Sequence, residues 1–247
     1  MPDTGAGGRR HPFLLPMAVS GALAVLAGLG TWQLDRLQWK RGLIAERRAA
    51  MSAPSADLRD AADARGLPEF RHVRVRGTFR HESELLVGPR TRNGAGGWHA
   101  VTPLRLETGG WVLVDRGFVP EDRKRPATRP DGQVRGAVAI DGLLRRPAPA
   151  GAFVPANDPV RGAWFRIDPP AMGQALGLGG TAPFWVAAGP APNPGGLPIG
   201  GGDAAMPRNE HLQYAITWYA LAAVLLAIAM ILRRQQRRGR AGPARRR

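Results

Sequence analysis

The 247-residue sequence contains no cysteine. This excludes disulfide bonds, thiolate-bound zinc or iron–sulfur clusters, and copper transfer through a cysteine pair. Only four serines are present and none lies in a G-x-S-x-G motif, which argues against a serine hydrolase. The six methionines are scattered rather than clustered in a copper-binding tract. Any metal bound by this chain must therefore use histidine, methionine or oxygen ligands.

Phosphate loops and clustered metal ligands are also missing. The glycine-rich segments 94–97 and 200–202 lack the Lys-Ser/Thr pair that follows the glycines of a phosphate loop. His72, His81 and His99 do not have the close spacing of a metal site, and surface positions explain them equally well. We interpret the glycine-rich segments as loops and the three histidines as ordinary surface residues.

Acidic residues are few: 19 stand against 35 basic residues, giving a net charge of +16. Half of this excess lies in the last 15 residues, which hold eight arginines and no acid. Outside that tail there is no dense basic stripe with interleaved aromatic residues and no recognisable nucleic-acid-binding motif. The charge therefore indicates membrane topology rather than nucleic-acid binding.

Two long apolar runs predict membrane-spanning helices. Residues 212–232 contain no charge, and residues 13–34 are interrupted only by isolated polar residues and Pro16. About 20 apolar residues suffice to cross a hydrocarbon core of roughly 30 Å. A cleaved signal peptide is the alternative for the first run, since Val25 and Ala27 offer a small-residue cleavage pattern. An uncut anchor is favoured because the run exceeds the usual length of about 7–15 residues.

The charges on either side of the two spans predict their orientation. Arg9, Arg10 and the eight arginines of the tail outnumber the basic residues that flank the spans on the other side. Because two spans place both termini on one side, we expect both termini in the cytoplasm. The predicted order is a cytoplasmic N-terminus (1–12), a span (13–34), an external or periplasmic domain (35–188), a linker (189–211), a span (212–232) and a cytoplasmic tail (233–247).

Between the spans the hydrophobic period changes from helical to strand-like. A basic helix is expected to continue from Asp35 to Ala50, and Asp168 is expected to cap a short helix over Pro169–Leu176. Strands are predicted at residues 73–79, 84–87, 98–106, 111–118, 134–144, 164–167 and 184–188. The short glycine-bearing connection at 107–110 predicts an antiparallel hairpin. The predicted fold is membrane-anchored α+β, with two transmembrane helices flanking an external antiparallel β-barrel or sandwich-like domain with few helices.

Small residues recur along the first span at Ser20, Ala24 and Gly28. Such a stripe allows another helix to approach closely, although alanine-rich membrane composition explains it equally well. Ala215, Ala222 and Ala229 lie seven residues apart in the second span, which makes that span a candidate partner.

His211 lies where the second span meets the external side of the membrane. An imidazole at this position can serve as an axial ligand of heme iron. Tyr214 and Trp218 follow three and seven residues later on the same helical face, where their rings offer flat apolar contact to a macrocycle. An interfacial aromatic belt is the alternative explanation. Arg90, Arg92 and Arg116 are candidate partners of the propionates, or solvated loop charges.

Four segments carry a resemblance to a known family: LGTWQLDRLQWKRGLIAE (29–46), VGPRTRNGAGGWHAVTPLRL (87–106), VLVDRGFVP (112–120) and NEHLQYAITWY (209–219). They resemble, in order, the surfeit-locus family of cytochrome c oxidase assembly factors, here as a bacterial member. The resemblance implies a part in maturing subunit I, which contains heme a. It also implies that His211 holds heme a, with iron as its only metal.

The leading hypothesis is a non-enzymatic assembly factor of the cell inner membrane that handles or stabilises heme a during its insertion into subunit I. No catalytic residue is expected, and heme a is expected to bind transiently and not to be needed for folding. The first alternative is a scaffold that binds subunit I or heme a synthase without touching heme. The second is a membrane-anchored ligand-binding module unrelated to the oxidase.

Overall fold

The computed structural model describes residues 13–147, 149, 151, 154–202 and 206–240. For residues 239 and 240 it describes the backbone and not the side chains. The predicted N-terminal segment 1–12 and the end of the arginine tail lie outside these residues. The chain divides into two compact units, one formed by residues up to Ile44 together with those from Pro207 onward, and one formed by Ala45–Met206. We call the first the helical unit and the second the barrel domain.

The helical unit consists of two long helices. Helix α1 extends over Leu14–Ser52, of which the last residues belong to the barrel domain, and the second long helix, α3, extends over His211–Arg240. Both are long and apolar enough to cross a membrane, and only 6% of the most apolar part of each is buried. A core helix of a soluble domain would be mostly buried, so this exposure is consistent with a membrane protein with two spans. The expected helical continuation beyond Leu34 is confirmed, since α1 runs without a break to Ser52.

The two helices meet through a face that differs from the expected one. Ser20, Ala24 and Gly28 are exposed, and a Cβ atom built at Gly28 would have no neighbour within 4 Å. At Gly30, in contrast, α1 lies close to α3: such an atom there would lie 2.9 Å from the ring of Tyr219. The prediction that the small-residue stripe of the first span packs on the second span is therefore wrong. On α3 the less exposed residues recur at heptad spacing, at positions 211, 215, 218, 222, 225 and 229. They include the three expected alanines, Ala215, Ala222 and Ala229.

The barrel domain contains a closed five-stranded barrel. The described part of the domain has seven strands, of which five form the barrel: β1 (Ala56–Leu58), β2 (His72–Phe79), β3 (Leu85–Arg92), β4 (Ala95–Leu106), β5 (Trp111–Pro120), β6 (Ala137–Arg145) and β7 (Thr181–Ala188). The strand order is β2-β6-β7-β5-β4, and β4 pairs again with β2 at Gly77↔Leu106, which closes the barrel. Four of these five pairings are antiparallel, and β5 with β7 is parallel. β1 adds to β2 and β3 adds to β4. This confirms the barrel form of the predicted domain.

The barrel closes around the side chains of alternating strand residues. In β2 every second residue is buried, including Val73, Val75 and Phe79, while the residues between them are exposed. This alternation is the period of a strand with one face on a core and one on solvent. Strand β5 is buried along nearly its whole length because a second apolar cluster, with Trp164 and Met172, covers its outer side at Leu113.

Helix α2, Pro169–Ala175, forms as predicted. The Asp168 side chain accepts a hydrogen bond from the backbone N–H of Ala171 at 3.3 Å, and proline occupies the first turn. The predicted strand at 164–167 is wrong: Trp164 makes only an isolated parallel bridge to Val87. Strand β1 was not predicted, since three residues carry no readable period.

The glycine- and proline-rich stretch after β7 is packed on the barrel. Ile199 and Phe118 exchange two backbone hydrogen bonds of 2.8 and 2.9 Å, and Pro198 is buried. Gly117 permits this approach, because its φ is +117° and a Cβ atom there would collide with the backbone of Ile199. The expectation of an unpacked linker is therefore wrong for the part of the stretch around Ile199.

Candidate functional site

The helical unit places His211 at the start of α3. The backbone N–H groups of Gln213 and Tyr214 both donate to the carbonyl of Glu210, which sets the first turn of the helix. The sequence favours a helix from this point because an uncharged apolar run begins at Leu212 and Pro207 lies before it. His211 is consequently fixed to a rigid helix rather than to a loop.

The imidazole of His211 is hydrogen-bonded to the other helix. Its Nδ1 atom lies 2.7 Å from Oε1 of Gln33 in α1. An amide oxygen only accepts, so Nδ1–H donates, and in the neutral form of the ring the lone pair is then on Nε2. A neutral imidazole with a free Nε2 lone pair is the form that binds metal ions.

A pocket of about 310 Å³ opens beside this histidine. Its volume lies at the lower end of the range of about 300–1,000 Å³ found for small-molecule sites. The lining residues all belong to the helical unit and are Gln33, Lys40, Arg208, Glu210, His211 and Tyr214. Two basic side chains stand against one carboxylate, so the pocket favours an acidic ligand by one charge.

Of the two predicted aromatic residues, Tyr214 lines the pocket and Trp218 does not belong to the lining set. Tyr214 is 52% exposed, and Trp218 is half-buried on the same side of α3 one turn further along. The structure thus brings His211 and Tyr214 together at the pocket and places Trp218 directly beyond it.

Arg116, the predicted propionate partner, lies in the barrel domain with its side chain 2% exposed. Its guanidinium donates to the carbonyl of Gly132 and to Oδ1 of Asn193, and lies 3.9 Å from the Glu84 carboxylate. Burial lowers the pKa of Arg116 to about 10, against the opposing effect of Glu84. These contacts indicate a role inside the barrel.

Glu84 anchors this buried charge cluster. Both of its carboxylate oxygens accept hydrogen bonds from Arg129, which is 4% exposed. The neighbouring His81 donates from Nε2 to the carbonyl of Val134 at 2.8 Å, and its Nδ1 faces Arg116 at 3.5 Å. Burial, assisted by the positive charge of Arg116, lowers the pKa of His81 against the effect of the Val134 hydrogen bond.

Four of the lining residues were not predicted as site residues: Gln33, Lys40, Arg208 and Glu210. A signal for Gln33 was present, because a polar residue inside a membrane span faces a partner group more often than lipid. Lys40 and Arg208 carried no such signal, since basic residues are common just outside a span. Among the residues that the structure describes, no group of three or more histidines or carboxylates could hold a metal ion.

Comparison with known proteins gives a consistent result. The model of the SURF1 family matches residues 21–223. The chain is 40% identical to a SURF1-like protein of Monosiga brevicollis, over 85% of this chain and 84% of the relative. It is 41% identical to surfeit locus protein 1 of Rattus norvegicus, with 81% and 69% covered, and 39% identical to that of Homo sapiens, with 79% and 70% covered. The match covers most of α1, the whole barrel domain and the start of α3, and the chain belongs to the SURF1 family.

Proposed function

We propose that this protein is an assembly factor of cytochrome c oxidase that holds heme a during its insertion into subunit I. Membership of the SURF1 family, known for oxidase assembly, supports the general role. The finer proposal rests on His211, which lines a pocket where α3 begins and whose Nδ1 is hydrogen-bonded to Gln33, so that Nε2 would be the atom that ligates iron. When bound there, heme a would supply the iron that His211 ligates.

The residues around His211 fit the other parts of a heme. Lys40 and Arg208 offer cations to the two propionates, and Tyr214 and Trp218 offer aromatic surface to the macrocycle. The lipid-facing sides of both helices expose apolar residues, including Val25 and Ile216, that suit a long isoprenoid tail. Arg116 is engaged inside the barrel, so a role for it toward a propionate has less support than one for Lys40 and Arg208.

The proposed role is that of a carrier. Holding and releasing a cofactor needs no bond-making step at this site beyond iron ligation, so the protein is not proposed to be an enzyme. An open pocket of about 310 Å³ encloses a heme only in part, which suits transfer to a second protein. The proposed partners are subunit I, which receives the heme, and heme a synthase, which supplies it.

Heme content tests the role of His211. The full chain, purified in detergent from cells that make heme a, is expected to carry heme at a substoichiometric level and to lose it in His211→Ala. His72→Ala is the matched control, because His72 is an exposed histidine of strand β2. A wild-type protein without heme, or equal heme in wild type and His211→Ala, would refute the heme proposal.

We further propose that the protein lies in the cell inner membrane with both termini in the cytoplasm and the barrel outside. The cysteine-free sequence makes single engineered cysteines specific reporters. Val160→Cys, at a side chain 97% exposed in the barrel domain, should react with an impermeant maleimide in intact spheroplasts. Gln235→Cys, exposed near the end of α3, should react only after lysis. The reverse labelling pattern would contradict this orientation.

A scaffold without heme is the second candidate, and one observation favours it. The small-residue stripe of α1 faces away from α3, and nothing lies within 4 Å of a Cβ atom at Gly28, so a helix of another protein has room to pack there. When variants are expressed in a deletion strain, those with bulky residues at Ala24 and Gly28 should then fail to restore oxidase assembly, whereas His211→Ala should restore it. The opposite pattern would favour the heme proposal.

A further inference from the structure

Gln33 is a buried polar residue near the end of the apolar part of α1. Its side chain is 9% exposed, although an uncharged amide gains nothing from burial in an apolar setting unless it is hydrogen-bonded. Thr31, two residues earlier, satisfies its hydroxyl partly within its own helix by donating to the carbonyl of Ala27 at 3.0 Å. Gln33 instead directs its amide oxygen to His211 on the other helix, 178 residues away.

We infer that Gln33 is a positioning residue, which holds the His211 imidazole in its Nδ1-protonated form and turns Nε2 into the pocket as a ready ligand. This inference rests on the proposed heme function. It assigns no contact between Gln33 and the iron; Gln33 acts through His211. The geometry is that of an outer-shell partner, in which the second nitrogen of a metal-binding histidine donates to a fixed acceptor.

An acceptor on Nδ1–H does more than orient the ring. It makes the imidazole more basic, and a more basic axial ligand stabilises ferric over ferrous iron. A carboxylate accepts more strongly than an amide, and an aliphatic side chain does not accept at all. Two substitutions at one position therefore have opposite expected effects on the heme. Gln33→Glu should lower its reduction potential, and Gln33→Leu should raise it.

Affinity gives a second measurement. Loss of an outer-shell partner weakens metal binding by about 10- to 100-fold. The heme affinity of Gln33→Leu should therefore fall by about that factor, and this variant should lose heme on dilution, whereas Gln33→Glu retains it. Gln213 supplies the matched control, since it is an exposed glutamine of α3 outside the set of residues that line the pocket. Gln213→Leu and Gln213→Glu should leave potential, spectrum and affinity as in wild type.

The decisive experiment measures heme content, visible spectrum and reduction potential on the full-length protein in detergent. Both substitutions at Gln33 and both at Gln213 are compared with wild type and His211→Ala. The expected result is a downward shift for Gln33→Glu and an upward shift for Gln33→Leu. If both Gln33 variants match their Gln213 controls, the positioning role is refuted.

A purely structural effect of Gln33 is separated by a double variant. If Gln33 acts through His211, then Gln33→Leu lowers the unfolding midpoint of the heme-free protein less in the His211→Ala background than in wild type, because its hydrogen-bond partner is already gone. Equal decreases in both backgrounds would overturn the inference and leave Gln33 as a packing residue. Failure of the proposed function looks different: heme is then absent from wild type, or its amount does not depend on His211.

Discussion

The ring of Tyr219 lies directly over Gly30, where the two long helices meet. A Cβ atom built at Gly30 would lie 2.9 Å from Cε2 of this ring, and the Tyr219 hydroxyl lies 3.0 Å from Oγ1 of Thr31. Close approach of this kind is the main source of helix–helix affinity inside a membrane, where lipid is as apolar as the side chains. The contact lies on the same stretch of α1 as Gln33.

A bulky residue at Gly30 is therefore expected to separate the helices. Gly30→Leu places a side chain in space that Tyr219 occupies, and overpacking of this kind costs about 1–3 kcal/mol. Gly28→Leu is the matched control, because the same side chain there enters open space. Thermal unfolding in detergent should show a lower midpoint for Gly30→Leu only. Equal midpoints for the two variants would contradict the contact.

The limits of sequence reasoning are visible at the same contact. The length and composition of the apolar runs predicted both helices, because a span requires nothing more. The face on which they meet was not predicted correctly: composition favoured Ser20, Ala24 and Gly28, whereas the structure uses Gly30, Thr31 and Gln33. Which small residue is covered depends on the rotation of each helix, and packing sets that rotation.

In the barrel, too, local features were predicted and long-range contacts were not. Alternation predicted β2, and a short glycine turn predicted the β4–β5 hairpin, since both signals are local. Closure through Gly77↔Leu106 and the packing of Ile199 on Phe118 join residues far apart in the chain. The pocket likewise required His211 and Gln33 to meet across 178 residues. His211 and Tyr214 were predicted as site residues, whereas Gln33, Lys40, Arg208 and Glu210 are recognised as pocket residues only when the helices are placed together.

Gly117 should tolerate no side chain. Gly117→Ala combines a positive φ of +117° with a collision against the backbone of Ile199. Gly136→Ala is the control: its φ is +83°, but nothing lies within 4 Å of the added atom. Unfolding midpoints should fall for both and clearly further for Gly117→Ala. If the two variants fall equally, the approach of Ile199 contributes nothing to stability.

Loss of the Glu84 carboxylate should be among the most damaging single changes in the barrel. Glu84→Gln leaves the guanidinium groups of Arg129 and Arg116 buried without their shared counter-charge. Removal of one partner from a buried ion pair costs about 3–5 kcal/mol. Asp141→Asn is the control, since its ion pair with Arg74 is exposed and should contribute little. Denaturant unfolding of the full chain in detergent distinguishes the two variants.

The lowered pKa of His81 predicts a pH dependence of stability. The folded protein keeps this imidazole neutral because it is buried and faces Arg116, whereas the unfolded chain takes up a proton below about pH 6.5. Since the unfolded state then binds more protons, stability falls as the pH drops from about 7 through the lower folded pKa and levels off below it.

Replacement of His81 should remove that contribution. Between pH 7.5 and pH 5 the unfolding midpoint of His81→Gln should decrease less than that of wild type. His72→Gln, an exposed position of β2, should follow the wild-type curve. A His81→Gln curve parallel to wild type over this range would show that His81 titrates equally in both states.

The two cations of the pocket should govern binding of acidic groups beside His211. Lys40→Gln and Arg208→Gln each remove one positive charge from the lining, and the double variant leaves Glu210 as its only formal charge. A charge-assisted hydrogen bond contributes about 1.5–3 kcal/mol, so each single variant should lower heme affinity by about 10-fold or more. Arg41→Gln, one residue beyond Lys40 and exposed, is the control.

A comparison of two ligands separates charge from packing in this pocket. Titration with heme a and with its propionate dimethyl ester should show a large difference in wild type, because only the free acid pairs with Lys40 and Arg208. In the double variant that difference should vanish or reverse, since the remaining Glu210 carboxylate repels an acid and not an ester. Ligation by His211 is untouched by these changes, so the visible spectrum of the bound species should stay constant. An unchanged preference for the free acid in the double variant would place the propionate partners outside this pocket.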